Sequence, residues 1–326
     1  MKFAMDRRRW LAGALAGALT LSLAGCGDDA EVSANGLEKS EINVGVMPIS
    51  EAAGVQIAIS RGFFKAEGLD VKLTIANGAA EVLPKLKGGQ IDIGQAGHVG
   101  VIDAQVKGAF GKLKIVAEAS SMTKNLNGIL VAKDSSIRTP KDLAGKKIGT
   151  NAVKNQNSLL AHATLQPHGV KIDEDRDVVV APFPAQEQLL KSGKVEAIIV
   201  PEPFVTQVQQ SIGARLLTDF SSGPTKDFPI TGFASTEEFA TKNPKTVAAF
   251  QRALAKAQAL AADRAVLQEE LPKFTKLDAK IVGVIALNGF PTSTSATRIQ
   301  RVADVMLQFG YLQSRFDVKT FVVEHG

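Results

Sequence analysis

The sequence predicts an α/β protein with two lobes, and three features of the chain lead to this expectation. Short apolar stretches with the alternation of strands are followed by segments with helical spacing, and this order repeats along the chain. Several strand-like stretches end in polar turns, the position at which parallel α/β sheets bind their ligands. Two further stretches, near 125–131 and 228–233, are typical of passages from one lobe to the other. A largely parallel sheet is therefore expected in each lobe.

The composition is that of an ordinary globular protein and excludes several kinds of site. Of the 326 residues, 45% are hydrophobic and 22% are charged, which is near the average for such proteins. No apolar run approaches the roughly 20 residues that a membrane-spanning helix needs. The single cysteine, Cys26, excludes an intrachain disulfide and a cysteine metal cluster. We expect no metal and no cofactor.

Residues 1–25 have the organisation of a lipoprotein signal peptide. A basic head with three consecutive arginines, 7–9, precedes an uncharged apolar stretch from Leu11 to Leu23. The sequence Leu-Ala-Gly-Cys that ends at Cys26 resembles the bacterial lipobox, in which the cysteine is lipidated and becomes the first mature residue. The arginines fit either a twin-arginine export signal or a common basic head. The protein is therefore expected outside the cytoplasm, anchored to the cell membrane by lipid.

The charge balance gives no reason to expect a nucleic-acid partner. Removal of the signal takes away four basic residues and one acidic residue, so the formal net charge falls from +5 to +2. Residues 26–40 that follow are small, polar and acidic, and are predicted to form a flexible tether.

The first lobe is predicted to begin with residues 41–128. Ser50 and His98 each follow a strand of this lobe directly, and Ser50 is also placed to cap a helix that stops near Gly68. The predicted strands of this lobe cover 42–46, 71–75, 91–94 and 114–117.

The second lobe is predicted over 129–229, and its most informative stretch is the polar turn from Thr150 to Ser158. The turn lies between a buried strand and a helix start, where free backbone N–H groups and the positive dipole end suit an anionic or polar ligand. A plain helix cap explains the same residues. The predicted strands of this lobe cover 128–132, 147–150, 178–180, 197–200 and 215–217.

Residues 230–326 are predicted to return to the first lobe and to be mainly helical. Val247, Phe250 and Leu254 fall at helical spacing, as do Val302 and Met306. Tyr311, the one tyrosine of the chain, is placed in the last helix.

Several motifs resemble the substrate-binding proteins of the nitrate, sulfonate and taurine class of ABC importers. The motifs are GFFKAEGLDV at 62–71, LKGGQIDIG at 86–94, DLAGKKI at 142–148, LKSGKVEA at 190–197, Glu202-Pro203 and Asn243-Pro244. The resemblance implies a type II periplasmic-binding-protein fold, with two α/β lobes, two crossing strands and a ligand cleft between the lobes. It also implies a monomer without catalytic activity that delivers a small solute to an importer permease and its ATPase.

By position, the resemblance implies a ligand site at the strand-end turns of both lobes. The candidates are Ser50, Glu51, Gln95, Gly97, His98, Thr150, Asn151, Asn157, Ser158, Glu202, Gly232 and Phe233. Six of them also have a purely structural explanation. Ser50 and Ser158 fit helix caps, Asn151 and Asn157 fit the turn itself, His98 fits a partly exposed neutral side chain, and Glu202 fits a residue that orients the hinge.

The residue types that are absent from these turns reduce the range of ligands that the site could bind. Without an arginine there is no bidentate clamp for an α-carboxylate, which disfavours an amino acid. Trp10 leaves with the signal, so stacking of a flat heterocycle would depend on phenylalanine. Neutral donors suit a sulfonate-like anion, and a glutamate in the pocket (Glu51 or Glu202) would favour one that carries an amine. A thiamine-pyrimidine or another vitamin precursor, and a ligand sensor without transport, are the alternatives. A pyrimidine synthase of the same fold needs a cysteine-rich motif that this chain lacks.

Overall fold

The computed structural model describes residues 36–76 and 78–325, so Cys26, the predicted signal and most of the predicted tether lie outside the described residues. Within those ranges the chain forms two sets of strands with helices between them. The strands are β1 (Glu41–Val46), β2 (Asp70–Ile75), β3 (Ile93–Gly97), β4 (Leu113–Ser121), β5 (Asn127–Val131), β6 (Ile148–Thr150), β7 (Val178–Val180), β8 (Ala197–Pro201), β9 (Arg215–Asp219) and β10 (Pro229–Thr236). The helices are α1 (Ala53–Ser60), α2 (Phe63–Ala66), α3 (Ala79–Lys87), α4 (His98–Lys107), α5 (Gln156–Leu165), α6 (Glu174–Asp177), α7 (Phe183–Lys191), α8 (Phe204–Ile212), α9 (Glu237–Lys242), α10 (Pro244–Ala261), α11 (Arg264–Phe274), α12 (Ala279–Val282) and α13 (Ala296–Gln308).

The strands form two five-stranded sheets, in the orders β2-β1-β3-β10-β4 and β7-β6-β8-β5-β9. The neighbours of β1 and of β6 run parallel to them. In contrast, β10 is antiparallel to β3 and β4, and β5 is antiparallel to β8 and β9. The predicted two-sheet α/β fold is confirmed. Four strands of each sheet run in one direction, as expected of a largely parallel sheet, and the fifth, β10 or β5, arrives from the other sheet and runs in the opposite direction.

Two connections pass between the sheets and lie side by side. The first, 122–126, joins β4 to β5, and the second, 220–228, joins β9 to β10. The backbone N–H of Met122 donates to the carbonyl of Phe228 at 2.8 Å, and that of Phe220 donates to the carbonyl of Asn127 at 3.0 Å. The two connections are therefore tied to each other at both ends. The lobe boundaries at 128/129 and 229/230 stay predictions.

Apolar burial holds the helices against the sheets. The strand β8 is buried over its first four residues, 197–200, as a central strand covered on both faces should be. On the first sheet, Phe250 of α10 stacks on Phe64 with ring centroids 5.4 Å apart and meets Phe233 edge-on at 5.3 Å. Each buried phenylalanine stabilises the fold by about 1.5–3 kcal/mol.

Three local expectations are corrected by the structure. The predicted helix up to Gly68 is interrupted at Gly62, whose φ of 72° ends α1 and starts the short α2. Ser50 begins a 3-10 turn and makes no side-chain cap. Tyr311 lies just beyond the end of α13 rather than within it. None of the helices in the described part of the chain is long and apolar enough to span a membrane.

Candidate ligand-binding cleft

A cavity of about 270 Å³ lies between the two sheets, at the ends of strands from both of them. Met47 after β1 and Thr231 of β10 line it from the first sheet, and Asn127 of β5 and Pro201 of β8 line it from the second. The cavity thus occupies the position at which ligands bind in α/β sheets, outside the strand ends.

Three helices line this cavity with two or more residues of their first turn, and a fourth, α7, begins at the lining residue Phe183. The starts of α3 (Gly78 to Ala80), α4 (Gly97 and Gly100) and α5 (Asn155 to Asn157) all line it. The first N–H groups of a helix have no partner within the helix, and its N-terminus carries a positive partial charge of roughly half an elementary charge. No lysine, arginine or histidine is among the described residues that line the cavity, and the one charged side chain there is Glu51.

Four of the twelve residues predicted to bind ligand line the cavity, namely Glu51, Gly97, Asn151 and Asn157. The carboxylate of Glu51 is buried and accepts from Ser120 Oγ at 3.3 Å, while Ser120 Oγ lies 2.9 Å from the hydroxyl of Thr231. Burial raises the pKa of the Glu51 carboxyl, and the hydroxyls of Thr231 and Ser120 oppose that rise. No cationic side chain contacts Glu51 within the described ranges, so the carboxyl is available to a group on the ligand.

Asn151 and Asn157 serve both the turn and the cavity. The Oδ1 of Asn151 accepts from Nδ2 of Asn155 and from Nδ2 of Asn157, each at 3.0 Å. Asn157 is buried, and its Oδ1 accepts from Nδ2 of Asn127 at 2.8 Å. The structural explanation of these asparagines and a ligand role are therefore compatible.

Ser50, Gln95, Thr150 and Ser158 lie outside the cavity lining, and three of them hold neighbouring segments. Ser50 Oγ donates to Oδ1 of Asn288 at 2.8 Å, and Gln95 Oε1 accepts from the backbone N–H of Met47 at 3.2 Å. Ser158 Oγ accepts from the backbone N–H of Asn155 at 3.0 Å, in a capping box at the start of α5. Thr150 is fully buried at the end of β6.

Glu202 also lies outside the cavity lining. Its carboxylate accepts from the backbone N–H of Thr206 at 3.0 Å, from Thr206 Oγ1 at 2.7 Å and from the backbone N–H of Ala286 at 3.1 Å. It therefore caps the start of α8 and ties that helix to the C-terminal part of the chain. Burial raises the pKa of this carboxyl. These contacts favour the structural explanation of Glu202.

His98, Gly232 and Phe233 are buried and lie outside the cavity lining. His98 is fully buried rather than partly exposed, and burial, with the nearby charge of Arg298, lowers its pKa to about 3. A Cβ atom on Gly232 would lie 2.4 Å from Cε1 of His98, so this position accepts only glycine without rearrangement. The ring of Phe233 packs against Phe250 in the core.

Asn127, Asn155, Gln156 and Thr231 line the cavity, although the sequence did not single them out. Asn155 and Gln156 belong to the polar turn between Thr150 and Ser158, so their position in that turn was the available signal. Asn127 and Thr231 lie on crossing strands, and an isolated polar residue within an apolar strand was the only signal at either position.

The chain was compared with known protein families and proteins. The sequence profile of the NMT1-like family matches residues 35–271. The chain is 26% identical over 249 residues to the bicarbonate transport ATP-binding protein of Synechocystis sp., across 71% of this chain and 37% of that protein. It is 26% identical over 267 residues to the nitrate/nitrite binding protein of Nostoc sp., across 77% of this chain and 60% of that protein. The chain therefore spans less than two thirds of the length of these relatives.

Among solved structures, the fold is similar to the periplasmic aliphatic sulphonate binding protein of Escherichia coli. The TM-score is 0.72 at 20% sequence identity, and the match covers 87% of this chain and 97% of that one. At this identity the likeness establishes the fold alone, which is the periplasmic-binding-protein fold expected from the motifs.

Proposed function

This chain belongs to the NMT1-like family, and on that premise we propose that it is the extracytoplasmic solute-binding protein of an ABC importer. It captures a small sulfonate-like anion between its two sheets and delivers the anion to a permease driven by an ATPase. It works as a monomer and catalyses no reaction. The names of the relatives support this role, since one is a component of bicarbonate transport and another binds nitrate and nitrite.

The convergence of three helix starts on one cavity carries the proposal. The positive ends of α3, α4 and α5 meet at the cavity, and no cationic side chain lines it within the described ranges. Helix starts bind anions through backbone N–H groups without a formal positive charge. A small anion held by neutral donors is the ligand that suits such a cavity.

The predicted site residues divide into two groups in this proposal. Glu51, Gly97, Asn151 and Asn157 contact the ligand, because they line the cavity. The other eight act from behind the wall, by holding the turns and strands that carry the first group. They are Ser50, Gln95, His98, Thr150, Ser158, Glu202, Gly232 and Phe233.

Native mass spectrometry of freshly purified protein, followed by calorimetry, tests the proposed function. The titrants are propane-1-sulfonate, 2-aminoethanesulfonate (taurine), nitrate, bicarbonate and a thiamine-type pyrimidine. We expect at least one of the anions to bind with a stoichiometry of one. If only the pyrimidine binds, the ligand is a vitamin precursor rather than an anion, which contradicts the proposal.

Asn151→Ala is expected to lower the affinity for the bound anion at least about tenfold. The variant removes an amide that lines the cavity and leaves two neighbouring amides without their acceptor. The matched control is Asn243→Ala, because Asn243 lies at the junction of α9 and α10, outside the cavity lining. Equal affinities of the two variants in calorimetry would place the ligand elsewhere.

A further inference from the structure

Four asparagine side chains form a chain of hydrogen bonds along the cavity wall, and a backbone group fixes how each amide is turned. The backbone N–H of Ser158 donates to Oδ1 of Asn155 at 3.0 Å. Asn155 must therefore present Nδ2 to its next neighbour, and it donates to Oδ1 of Asn151. The same oxygen of Asn151 accepts from Nδ2 of Asn157. A backbone N–H can only donate, so this one donor fixes the amide orientations of Asn155, Asn151 and Asn157.

The last member of this chain is Asn127, in which one oxygen is left over. Because Asn157 uses its Nδ2 for Asn151, it offers Oδ1 to Asn127, and Asn127 must donate its Nδ2. The remaining atom, Oδ1 of Asn127, is buried and has no hydrogen-bond partner in the described part of the chain. The side chain is only 3% exposed and lines the cavity. A buried acceptor of this kind is normally paired.

The opposite side of the cavity also offers an acceptor. Glu51, next to the first sheet, has only hydroxyl partners for its carboxylate among the described residues. Gln156, by contrast, has both side-chain amide atoms unpartnered within the same ranges, so it suits a donor or an acceptor equally and does not discriminate. The cavity therefore combines positive helix starts for an acidic group with two side chains, Asn127 and Glu51, whose oxygens can accept from a donor on the ligand.

We propose that Asn127 is a specificity-determining residue whose Oδ1 accepts a hydrogen bond from the ligand, so that the site selects ligands with an N–H donor besides their acidic group. The inference rests on the proposed function, because it takes the acidic group to lie at the helix starts. A ligand without the donor leaves Oδ1 of Asn127 unpaired or dependent on a trapped water, and either outcome weakens binding.

Calorimetry of the whole protein with two matched sulfonates tests this inference. Propane-1-sulfonate carries a methyl group where 2-aminoethanesulfonate carries an ammonium, and the two are otherwise alike in length. We expect the amine-bearing compound to bind at least about tenfold more tightly. Asn127→Leu keeps the side-chain size and removes the acceptor together with the Nδ2 donor to Asn157. In this variant the ratio of the two affinities should fall at least about threefold, while Glu51 keeps part of the preference for the amine.

Asn243→Leu makes the same chemical change outside the cavity and should keep the wild-type ratio. Equal binding of the two sulfonates by the wild type would overturn the inference while leaving the proposed function intact. If folded Asn127→Leu keeps the wild-type ratio of the two affinities, Asn127 does not determine specificity. Failure of every anion to bind would overturn the proposed function and this inference with it. If Asn127→Leu does not fold, Asn127→Ala takes its place. The ratio of the two affinities in the wild type tests the preference for an N–H donor without any variant.

Discussion

His98 is a residue whose charge is set by its place in the fold. It is fully buried beside Gly232, and its pKa falls from 6.5 to about 3, chiefly because burial disfavours the charged ring. Between these two values the unfolded chain binds a proton at His98 and the folded chain does not. The contribution of His98 to stability is therefore complete above pH 6.5 and declines as the pH falls towards 3.

The comparison of wild type with His98→Leu isolates this effect. From pH 7.5 to pH 5, the free energy of unfolding of the wild type should drop by about 2 kcal/mol more than that of the variant. Urea denaturation at the two pH values measures the difference. The exposed His168, changed to leucine, serves as the control and should behave as the wild type. Parallel pH curves for wild type and His98→Leu would contradict the neutral buried ring.

Gly232 is needed because its neighbours leave no room for a side chain. An added Cβ would lie 2.4 Å from Cε1 of His98 and 2.7 Å from the carbonyl oxygen of Ala117. Gly232→Ala should therefore lower the stability by about 1–3 kcal/mol, as measured by chemical denaturation. The control is Gly97→Ala, where the nearest atom would lie 3.8 Å away. Similar stabilities of the two variants would argue against this close packing.

Among the elements, the positions of the buried strands could be predicted from the sequence. The order in which the strands pair within each sheet could not. The apolar run of β8 is unambiguous, because a strand covered on both faces needs apolar residues throughout. The place of β10 between β3 and β4 was not predictable, since alternation along one strand does not specify the partner or the direction of pairing.

The same limit applies to the cleft. The polar turn that holds Asn151 and Asn157 follows a strand directly, so its place at the sheet edge could be inferred. Asn127 could not be inferred, because its role depends on a chain of hydrogen bonds through residues of a different element. Glu202 was placed correctly at a strand end, but whether it faced the cavity depended on the start of α8 and on Ala286.

The start of α5 combines a capping box with a long-range hydrogen bond, so a substitution there should cost stability. Ser158 Oγ accepts from the backbone N–H of Asn155 and lies 2.8 Å from the hydroxyl of Tyr311. Ser158→Ala should destabilise the protein by about 1–2 kcal/mol, because the variant removes one of the two hydrogen bonds of the capping box and the hydrogen bond to Tyr311. Thermal or urea denaturation provides the measurement. Ser192→Ala, at the exposed end of α7, should have little effect. An effect on ligand affinity without an effect on stability would show that Ser158 serves the ligand rather than the cap.

At the scale of the whole molecule, the two tied connections make the sheets natural candidates for movement about one hinge. The hydrogen bonds from Met122 to Phe228 and from Phe220 to Asn127 hold the connections together. Bending in one connection must therefore be accompanied by bending in the other. Asn127 follows the first connection directly, bonds to the second through Phe220 and lines the cavity, so a hinge movement is expected to change its environment.

The predicted attachment to the membrane concerns the whole chain and can be tested directly. The stretch that resembles a lipobox ends at Cys26, which lies outside the described residues. Cys26→Ser should move the exported protein from the membrane fraction to the soluble fraction, because one thiol carries the proposed lipid. Immunoblotting of cell fractions measures the distribution, and Ser33→Ala, within the predicted tether, is the control. Retention of Cys26→Ser in the membrane fraction would contradict the lipoprotein assignment.

The fluorescence of Tyr311 can be used to follow a conformational change of this protein. Its hydroxyl donates to Glu174 Oε1 at 2.8 Å and meets Ser158, so it joins the C-terminal segment to the starts of α5 and α6. The sequence holds one tyrosine and one tryptophan, and Trp10 lies within the predicted signal. A chain without residues 1–25 therefore has no tryptophan, and its tyrosine emission comes from Tyr311 alone. Because alkanesulfonates do not absorb in the same range, opening and closing can be followed in solution without any attached dye.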